Sequence, residues 1–285
     1  MEKININGIV DSMVSKANEA NTISEDDYVD AEGLICCGKC GTRKQKRVVL
    51  LGREIMPMIP CKCRSNELDK QEKDEKESYR QANISRMKQA GFKDRAMLDW
   101  TFENDDGANS KIINVAKNYV DKFSEFKADH KGLLMYGSVG VGKTYASACI
   151  ANALIEKGYP CLVTNFPRLI NTLEGLKSNK QDFLDELNDY DLLVIDDLAS
   201  ERNTEYMQEF VMQIIDSRNR SGLPIVVTTN LTAQELKSPA DMQKQRIYSR
   251  LLEMCIPVEV KGTDRRKVTL KNDYGKYAEM LGLGQ

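Results

Sequence analysis

From residue 132 onward, apolar residues form short continuous runs that alternate with helix-forming segments. The runs GLLMY, CLVTNF, DLLVIDD, PIVVTTN and IPVEV are five to seven residues long, as expected of strands buried on both faces, and turn-forming residues border most of them. Segments such as KTYASACIANALIEKG, which follow the helical pattern, lie between them. Strands that alternate with helices predict a parallel sheet covered by helices. We therefore predict an α/β fold with a five-stranded parallel sheet in a three-layer α/β/α core.

The first hundred residues follow a different pattern. Residues 66–89, NELDKQEKDEKESYRQANISRMKQ, are charged and helix-forming but contain too few apolar positions for a core helix. We predict three parts: an N-terminal helix and a cysteine-rich module in residues 1–65, a charged helical linker in 66–100, and the α/β domain in 101–285. Within that domain, KIINVAKNYVDKFSEF predicts one helix packed on the sheet, with its apolar residues at helical spacing: Ile112, Val115, Tyr119, Phe123 and Phe126.

Composition limits the classes of protein that fit this pattern. A chain of 285 residues that is 41% hydrophobic and 29% charged can bury one good core and a smaller module. Its net charge of −2 provides no general attraction to nucleic acid, so a DNA contact requires a local basic patch. No apolar run is long enough to span a bilayer, and the first twenty residues lack the apolar core of a signal peptide. We expect a cytoplasmic protein with no membrane partner.

The stretch LLMYGSVGVGKTYAS contains the pattern G-x-x-x-x-G-K-[ST], in which backbone N–H groups surround phosphate oxygens. Lys143 is expected to neutralise the β- and γ-phosphates, and Thr144 to ligate Mg²⁺. The alternative is a glycine-rich surface turn, but a strand before the motif and a helix after it favour nucleotide binding. The predicted nucleotide-binding residues are Gly137, Ser138, Val139, Gly140, Val141, Gly142, Lys143, Thr144 and Tyr145.

Polar residues end the next two strands that the pattern predicts after the CLVTNF run. Asp196 and Asp197 close DLLVIDD, where phosphate-loop NTPases place a carboxylate that organises Mg²⁺. We expect Asp196 to hold the ion through water, and Asp197 to orient or deprotonate the attacking water. A helix N-cap is the alternative for either residue. Asn230 ends PIVVTTN, where it can lie between these carboxylates and the γ-phosphate, although an asparagine there is also an ordinary turn residue.

Five of the eight cysteines crowd into one segment, CCGKCGTRKQKRVVLLGREIMPMIPCKC. Cys37 and Cys40 form a C-x-x-C pair, and two short strands around a turn would return the chain to Cys61 and Cys63. We predict that these four thiolates bind a structural Zn²⁺, because four sulfur ligands leave no position for water. Cys36 can replace Cys37, and free thiols are the alternative to zinc. The run RKQKR, residues 43–47, can contact nucleic acid or form a solvated loop.

These motifs, in this order, resemble the AAA+ superfamily, and within it the DnaC-type replicative helicase loaders, with the IstB-type transposition helper ATPases close by. The resemblance covers roughly residues 101–271, through GSVGVGKT, LLVIDDLAS, VVTTN, RIYSRL and GTDRR. It implies that Asn230 is the sensor-1 residue, Arg250 the arginine finger offered to a neighbouring subunit, and Arg266 the sensor-2 arginine, with Arg265 as the alternative. From the residues alone, Arg250 lies four positions after Arg246 on one helix face, where local acids can pair with both.

Two departures from the superfamily affect what the resemblance implies. Most members carry Glu at the position of Asp197, and the shorter side chain implies slow turnover, which suits a switch. Only 19 residues follow Arg266, so we expect the helical lid to be reduced or absent. The resemblance thus implies an ATPase that uses ATP and Mg²⁺, self-assembles, and loads a replicative hexameric DNA helicase onto single-stranded DNA, with the zinc module docking on the helicase.

Other functions stay open. A transposition helper has a similar ATPase core but usually lacks the metal module, and a zinc adaptor would bind nucleotide without hydrolysing it. A small-molecule kinase would need a substrate pocket and a closing lid, and it leaves Asn230 and Arg250 unexplained. For the loader, the segment NFPRLINTLEGLKSNK is the predicted DNA contact: Phe166 can stack on a base or lie in the core, and Arg168 or Lys177 can meet phosphate.

Overall fold

Two compact units make up the chain, Met1–Gln81 and Ala82–Gln285. The structure is a computed structural model that describes residues 23–50, 52–175, 179–199, 205–239 and 241–266, with isolated positions near both ends. The predicted N-terminal helix lies outside the described residues, apart from four isolated positions. The finer division at residues 65 and 100 stays a prediction.

The first unit contains two antiparallel hairpins followed by the start of a long helix. Strands β1 (Tyr28–Val29) and β2 (Ile35–Cys36) form one hairpin, and β3 (Val48–Leu50) and β4 (Arg53–Ile55) form the other. The second hairpin is the predicted pair of short strands between the two groups of cysteines, with Gly52 in its turn at a φ of 76°. Helix α1 spans Lys62–Gly91, longer than the predicted 66–89, and carries ion pairs at spacings of three and four residues.

The second unit alternates strands and helices, as predicted. A short 3₁₀ helix (Arg95–Asp99) leads into it. The strands are β5 (Gly132–Tyr136), β6 (Cys161–Thr164), β7 (Leu192–Leu198), β8 (Ile225–Thr229) and β9 (Cys255–Glu259). The helices are α2 (Ser110–Asp121), α3 (Phe123–Ala128), α4 (Lys143–Glu156), α5 (Phe166–Gly175), α6 (Lys180–Leu187), α7 (Glu205–Arg220), α8 (Ala233–Lys237) and α9 (Met242–Met254).

The five strands among the described residues of this unit are all parallel, in the order β6-β7-β8-β5-β9. Successive residues of a strand point to opposite faces, so that Leu133 and Met135 join one apolar cluster and Leu134 the other. Helices α2 and α4 cover the first face, and α5, α6, α7 and α9 cover the second. The predicted α/β fold with a five-stranded parallel sheet is confirmed. Because β7, β8 and β5 are neighbours, the polar residues at their carboxyl ends meet at one edge of the sheet.

The prediction of a single helix before β5 is wrong, because this segment forms two helices. Lys122 ends α2 at φ −107° and ψ 19°, and α3 begins at the next residue. The break turns the chain so that Phe123 and Phe126 both contact Tyr119, at ring-centroid distances of 5.8 and 4.8 Å. The spacing of apolar residues could not predict this break, because the helical pattern of buried residues continues from α2 into α3.

Within the part of the chain that the structure describes, no helix combines the length and the apolar character needed to cross a bilayer. The prediction of a reduced lid concerns the residues after Arg266, most of which lie outside the described residues.

Candidate nucleotide-binding site and cysteine cluster

The glycine-rich motif forms the loop between β5 and α4. Gly140 has a φ of 78°, a conformation that residues with a side chain rarely adopt, and a Cβ added there would require the Asp264 side chain to move. Gly142 has a φ of 99° and is the N-cap of α4. Because the free N–H groups of a helix N-terminus attract anions, the loop has the backbone arrangement of a phosphate site.

Lys143 is the first residue of α4 and is only 6% exposed. Its Nζ donates hydrogen bonds to the carbonyl oxygens of Gly137 (2.8 Å) and Ser138 (2.6 Å), and to Oδ1 of Asn230 (2.8 Å). Burial lowers the pKa of Lys143, although the carboxylates of Asp197 and Asp196 act in the opposite direction. A buried cation is therefore held at the mouth of the phosphate loop by neutral acceptors, where a phosphate oxygen is the stronger acceptor.

A β-bulge lies at the end of β7. The pairing of β7 with β8 runs regularly to Ile195 and Val227, then resumes with a shift at Leu198 and Thr229. Asp197, inside the bulge, has a φ of 59°, a left-handed conformation that is uncommon for residues other than glycine. Bulges redirect side chains, and strained backbone of this kind clusters at functional sites.

The bulge gives the two carboxylates different partners. Oδ1 of Asp196 accepts a hydrogen bond from the Thr228 hydroxyl (2.6 Å), and that hydroxyl oxygen accepts one from the backbone N–H of Asp197 (2.9 Å). Oδ1 of Asp197 accepts a hydrogen bond from Nδ2 of Asn230 (2.8 Å). Because Oδ1 of Asn230 also contacts Nζ of Lys143, one amide connects the lysine of the phosphate loop to the second acid.

These residues line a cleft of about 400 Å³. Thr144, predicted to ligate Mg²⁺, lies in the same cleft as Asp196. The lining residues are Trp100, Val139, Gly140, Gly142, Lys143, Thr144, Tyr145, Asp196, Asp197, Thr228, Asn230, Arg265 and Arg266. The fold thus brings together side chains from three strand ends that are far apart in the sequence.

Aromatic side chains form one wall of the cleft. The rings of Trp100 and Tyr145 have centroids 5.8 Å apart, and the Tyr145 hydroxyl donates a hydrogen bond to the carbonyl oxygen of Thr101 (2.8 Å). The guanidinium of Arg265 lies 5.8 Å from the Tyr145 ring centroid and forms an ion pair with Asp106. Sequence reasoning missed Trp100 as a site residue; the available signal was its position as the single tryptophan, just before the α/β domain.

The two candidate arginines after β9 differ in their surroundings. Arg265 is engaged by Asp106, and its backbone N–H donates to the carbonyl oxygen of Gly140 (3.0 Å). Arg266 also lines the cleft, its side chain is exposed, and its charge acts on Lys143. These contacts favour Arg266 over Arg265 as the arginine that meets phosphate, and the sensor-2 role stays a prediction.

Arg250 lies on α9 and is not among the residues that line the cleft. Its Nε pairs with Oδ1 of Asp216 on α7 (3.1 Å), and its Nη1 pairs with Oε2 of Glu253 (2.6 Å). The hydrogen bond that Arg250 donates to Glu253, followed by the one it donates to Asp216, raises the pKa of Arg250. Arg246, one turn earlier on the same helix, is exposed. The finger role of Arg250 remains a prediction.

The residues predicted to contact DNA have different environments. Phe166 is 1% exposed and belongs to the apolar cluster that α5 covers. It therefore lies in the core, the second of its two predicted positions, and is not placed to stack on a base. Arg168 is exposed on the same helix. Lys177 lies outside the described residues.

The structure brings four cysteines of the first unit together. The Sγ atoms of Cys37, Cys40, Cys61 and Cys63 all lie within 4.8 Å of one another. A tetrahedral zinc with bonds of about 2.3 Å needs sulfurs about 3.8 Å apart, so the set fits a tetrathiolate site after a small contraction. Sγ of Cys36 instead lies 3.8 Å from both Oδ2 of Asp30 and the Leu34 carbonyl oxygen, which favours Cys37 as the ligand.

The thiols of this cluster differ in how easily each one ionises. The hydroxyl of Thr42, 2.9 Å from Sγ of Cys40, lowers the pKa of Cys40 to about 5. A hydrogen bond with Cys40 raises the pKa of Cys63 to about 11, and burial raises that of Cys61. The first ionisation is thus favoured and further ones are opposed, because thiolates so close together repel. A dication allows all four to ionise, so the chemistry of the donor set fits Zn²⁺.

The basic run of residues 43–47 is largely paired within the unit. Arg43 forms ion pairs with Asp30 and Glu32, and Arg47 forms one with Glu54. Lys44 is buried against a carboxylate. These contacts leave little unpaired positive charge, so the solvated-loop alternative is favoured over a nucleic-acid contact.

Comparison with known proteins places the second unit and part of the first in one family. A family model described as IstB-like ATP binding protein matches residues 61–272. Among curated proteins, the replicative helicase loader DnaI of Bacillus subtilis (strain 168) is 25% identical over 184 residues, which cover 60% of this chain and 59% of that protein. The replicative helicase loader DnaC of Escherichia coli (strain K12) is 27% identical over 128 residues, covering 44% of this chain and 51% of that protein.

Solved structures show the same relationship in three dimensions. A crystal structure of DnaI matches with a TM-score of 0.50 and 26% identity, covering 63% of this chain and 99% of that chain. A crystal structure of the DnaC helicase loader matches with a TM-score of 0.50 at 24% identity, covering 59% and 100%, and supports the fold alone. This chain spans less than two thirds of the length of the two curated relatives.

Proposed function

The chain belongs to the IstB-like ATP binding protein family, and we propose that within it this protein is an ATPase that loads a replicative hexameric DNA helicase onto single-stranded DNA. One observation carries the ATPase part of the proposal: a single cleft contains a phosphate loop with its lysine, two carboxylates with separate partners, and an asparagine between them. The helicase part is supported by the relatives, which are named as replicative helicase loaders.

In this proposal the cleft binds ATP through the residues of the phosphate loop, from Gly137 to Tyr145. Lys143 exchanges its neutral acceptors for oxygens of the β- and γ-phosphates, which bind a cation more strongly. Thr144 and Asp196 are the residues that would hold Mg²⁺, which would neutralise the negative charge of the phosphates. Trp100 and Tyr145 form the apolar wall, which suits the adenine base.

Asp197 is the proposed base or orienting group for the attacking water. Its carboxylate accepts a hydrogen bond from the Asn230 amide, whereas that of Asp196 accepts one from Thr228, and the backbone at Asp197 is left-handed. In this proposal one acid serves the ion and the other serves the water. Asn230 contacts both Lys143 and Asp197. Loss of the γ-phosphate can therefore change the contacts of Lys143, Asn230 and Asp197 together. Such coupling suits a protein that uses ATP as a switch, as the short side chain of Asp197 implies.

Removing the charge of Asp197 tests this assignment. Asp197→Asn is expected to bind ATP with near-parental affinity but to hydrolyse it at least about 100-fold more slowly, as when a general base is lost. Single-turnover hydrolysis and nucleotide binding measure the two steps separately. Asp189→Asn, an exposed acid before the same strand, is the control and should match the parent. Hydrolysis by Asp197→Asn at the parental rate would remove the role in water attack.

Arg250 is the proposed finger that acts on a neighbouring subunit's nucleotide. Arg250→Ala should bind ATP normally but lose hydrolysis stimulated by single-stranded DNA and helicase, because its guanidinium stabilises charge only where two chains meet. Arg246→Ala, one turn away, is the control. Mixing Arg250→Ala with Lys143→Ala should restore activity, since each chain supplies what the other lacks. An inactive mixture of chains that demonstrably co-assemble contradicts the mechanism in trans.

The cysteine cluster is the proposed structural zinc site of the module that docks on the helicase. Because the module is too small for a large core, loss of a ligand should unfold it. Cys37→Ser is expected to lose zinc and helicase binding while keeping ATP binding. Cys36→Ser, the adjacent cysteine outside the cluster, should keep all three. Metal analysis and equilibrium binding check this pair of variants, and equal zinc loss in both would reopen the choice of ligand.

Loading itself is tested with the full chain and the hexameric replicative helicase of its native host. The proposal expects a complex of the two proteins, and ATP-dependent transfer of the helicase onto circular single-stranded DNA. Capture from native cytosol provides the comparison with the alternative function. Recovery of a transposase in place of a helicase would shift the assignment to a transposition helper.

A further inference from the structure

The first unit contains a buried ion pair beside the cysteine cluster. Nζ of Lys44 lies 2.6 Å from Oδ2 of Asp27, and the side chains of Lys44 and Asp27 are 10% and 1% exposed. Desolvating two charges costs several kcal/mol per ion in general, which favourable geometry must offset. A buried ion pair is therefore weak evidence of stabilisation by itself, and we ask what these two charges do for the cysteine cluster beside them.

The carboxylate of Asp27 holds the turn that carries the first two cysteines. Its Oδ2 accepts a hydrogen bond from the backbone N–H of Ser24 (2.8 Å), and its Oδ1 accepts one from that of Gly38 (3.3 Å), between Cys37 and Cys40. A Cβ at Gly38 would lie 2.0 Å from the carbonyl oxygen of Asp26, so this segment packs directly on the turn. Asp27 therefore places a full negative charge within the structure that presents the thiols.

Lys44 connects that turn to the second pair of cysteines. Its backbone N–H donates to the carbonyl oxygen of Ile35 (2.7 Å), and its own carbonyl oxygen accepts from the N–H of Ile59 (2.7 Å), two residues before Cys61. The hydrogen bond to Asp27 raises the pKa of its ammonium, and Cys37 and Cys61 add to that effect when they are ionised. Lys44 thus joins the carboxylate of Asp27, through its side chain, to the segment that leads to Cys61, through its backbone.

Charge explains why a lysine is needed there. Four thiolates and one Zn²⁺ carry a net charge of −2, and the buried carboxylate of Asp27 adds a third negative charge close by. We propose that Lys44 is a positioning residue of the metal site, whose buried ammonium neutralises Asp27 and so allows that carboxylate to hold the cysteine turn without repelling the tetrathiolate centre. The inference rests on the zinc assignment above and goes beyond it, because it assigns zinc retention to a residue that is not a ligand.

The experiment compares four full-length variants with the parent: Lys44→Met, Asp27→Asn, the Asp27→Asn Lys44→Met double variant, and Lys46→Met. Zinc content is measured by metal analysis, and the rate of zinc transfer to a chromophoric chelator is followed at neutral pH. Mutation of residues that support metal ligands typically lowers metal affinity about 10- to 100-fold. Lys44→Met is therefore expected to release zinc at least about tenfold faster than the parent. The double variant should recover most of that loss, because its uncharged Asn no longer needs a cation. Lys46→Met, at an exposed lysine of the same segment, should match the parent.

The outcomes separate this inference from the zinc assignment. A parent without zinc after anaerobic purification removes both. A parent with zinc, and a Lys44→Met variant that retains it at the parental rate, overturns the inference alone. If the double variant releases zinc as fast as Lys44→Met, the lysine acts through packing and the charge argument is wrong. The double variant also keeps the test decisive if Lys44→Met does not accumulate as soluble protein, and ATP binding by each variant reports that the second unit is folded.

Discussion

Lys143→Ala is expected to raise the Kd for ATP at least about 100-fold and to abolish measurable hydrolysis. The ammonium is buried at the mouth of the phosphate loop and already makes three hydrogen bonds there, so a phosphate meets a cation that needs no rearrangement of the helix. A hydrogen bond to a charged group contributes roughly 1.5–3 kcal/mol, and every 1.4 kcal/mol is tenfold in affinity. Nucleotide binding measured by calorimetry, together with steady-state hydrolysis, tests the prediction.

Lys157→Ala provides the control for this substitution. Lys157 follows the other end of α4 and pairs with Asp121, so its removal takes away a lysine from the same helix without touching the cleft. Affinity for ATP should stay within about twofold of the parent. If Lys143→Ala binds ATP as tightly as Lys157→Ala, the glycine-rich loop is a structural turn and the nucleotide site must be sought elsewhere.

Arg218→Met is expected to lower the free energy of unfolding of the second unit by about 3–5 kcal/mol, as when one partner of a buried charged network is removed. Arg218 is completely buried near the end of α7. Its Nη1 donates to the carbonyl oxygens of Leu187 (3.1 Å) and Tyr190 (2.8 Å), and its Nη2 donates to those of Asp191 (3.4 Å) and Pro224 (2.8 Å). Methionine fills similar space but leaves four carbonyl groups, two of them in buried and two in part-buried hydrogen bonds, without this donor.

The effect should appear as a fall in Tm of roughly 10 °C, measured by thermal unfolding with and without ATP. Arg220→Met, at the exposed end of the same helix, is the control and should change the free energy of unfolding by less than about 0.5 kcal/mol. Because Arg218 contacts the loops that lead into β7 and β8, its loss should also reduce the population with a correctly formed acid pair. A Tm within one or two degrees of the parent would show that water replaces the guanidinium.

Arg218 also shows a limit of pattern reading. In α7, Phe210, Ile214 and Arg218 follow one another at four-residue spacing and share the buried face. The periodicity predicts that residue 218 faces the core, whereas an arginine is expected to be exposed to solvent. The neighbouring residues of α7 do not indicate that four carbonyl groups from two loops surround the guanidinium. The conflict is resolved by residues 27 to 31 positions earlier and by Pro224, which only the folded chain brings there.

The same limit applies to the cysteines and to the aromatic residues. Cys36 and Cys37 are adjacent, and their spacing to Cys40 allows either to be a ligand. The folded chain favours Cys37, because Cys36 ends β2 with its thiol near Asp30, while the thiol of Cys37 lies close to the other three sulfurs. Phe166 follows a strand whose register places it in the core, and Trp100 lies in the cleft only because the 3₁₀ helix packs beside α4.

By itself, the sequence determined the α/β fold, the order of its elements, the family, the phosphate loop and the strand ends that carry the acids. These features depend on local preferences: buried strands need short apolar runs, phosphate loops need glycine, and parallel strands place their carboxyl ends together. The tertiary structure decided the break between α2 and α3, the bulge that contains Asp197, the grouping of Cys37 rather than Cys36 with the other three cysteines, and the burial of Lys44 and Arg218. The break between the helices accompanies the packing of Phe123 and Phe126 on Tyr119. The other features depend on which groups from other segments satisfy a buried charge or hydrogen bond, and such partners become defined only when the chain has folded.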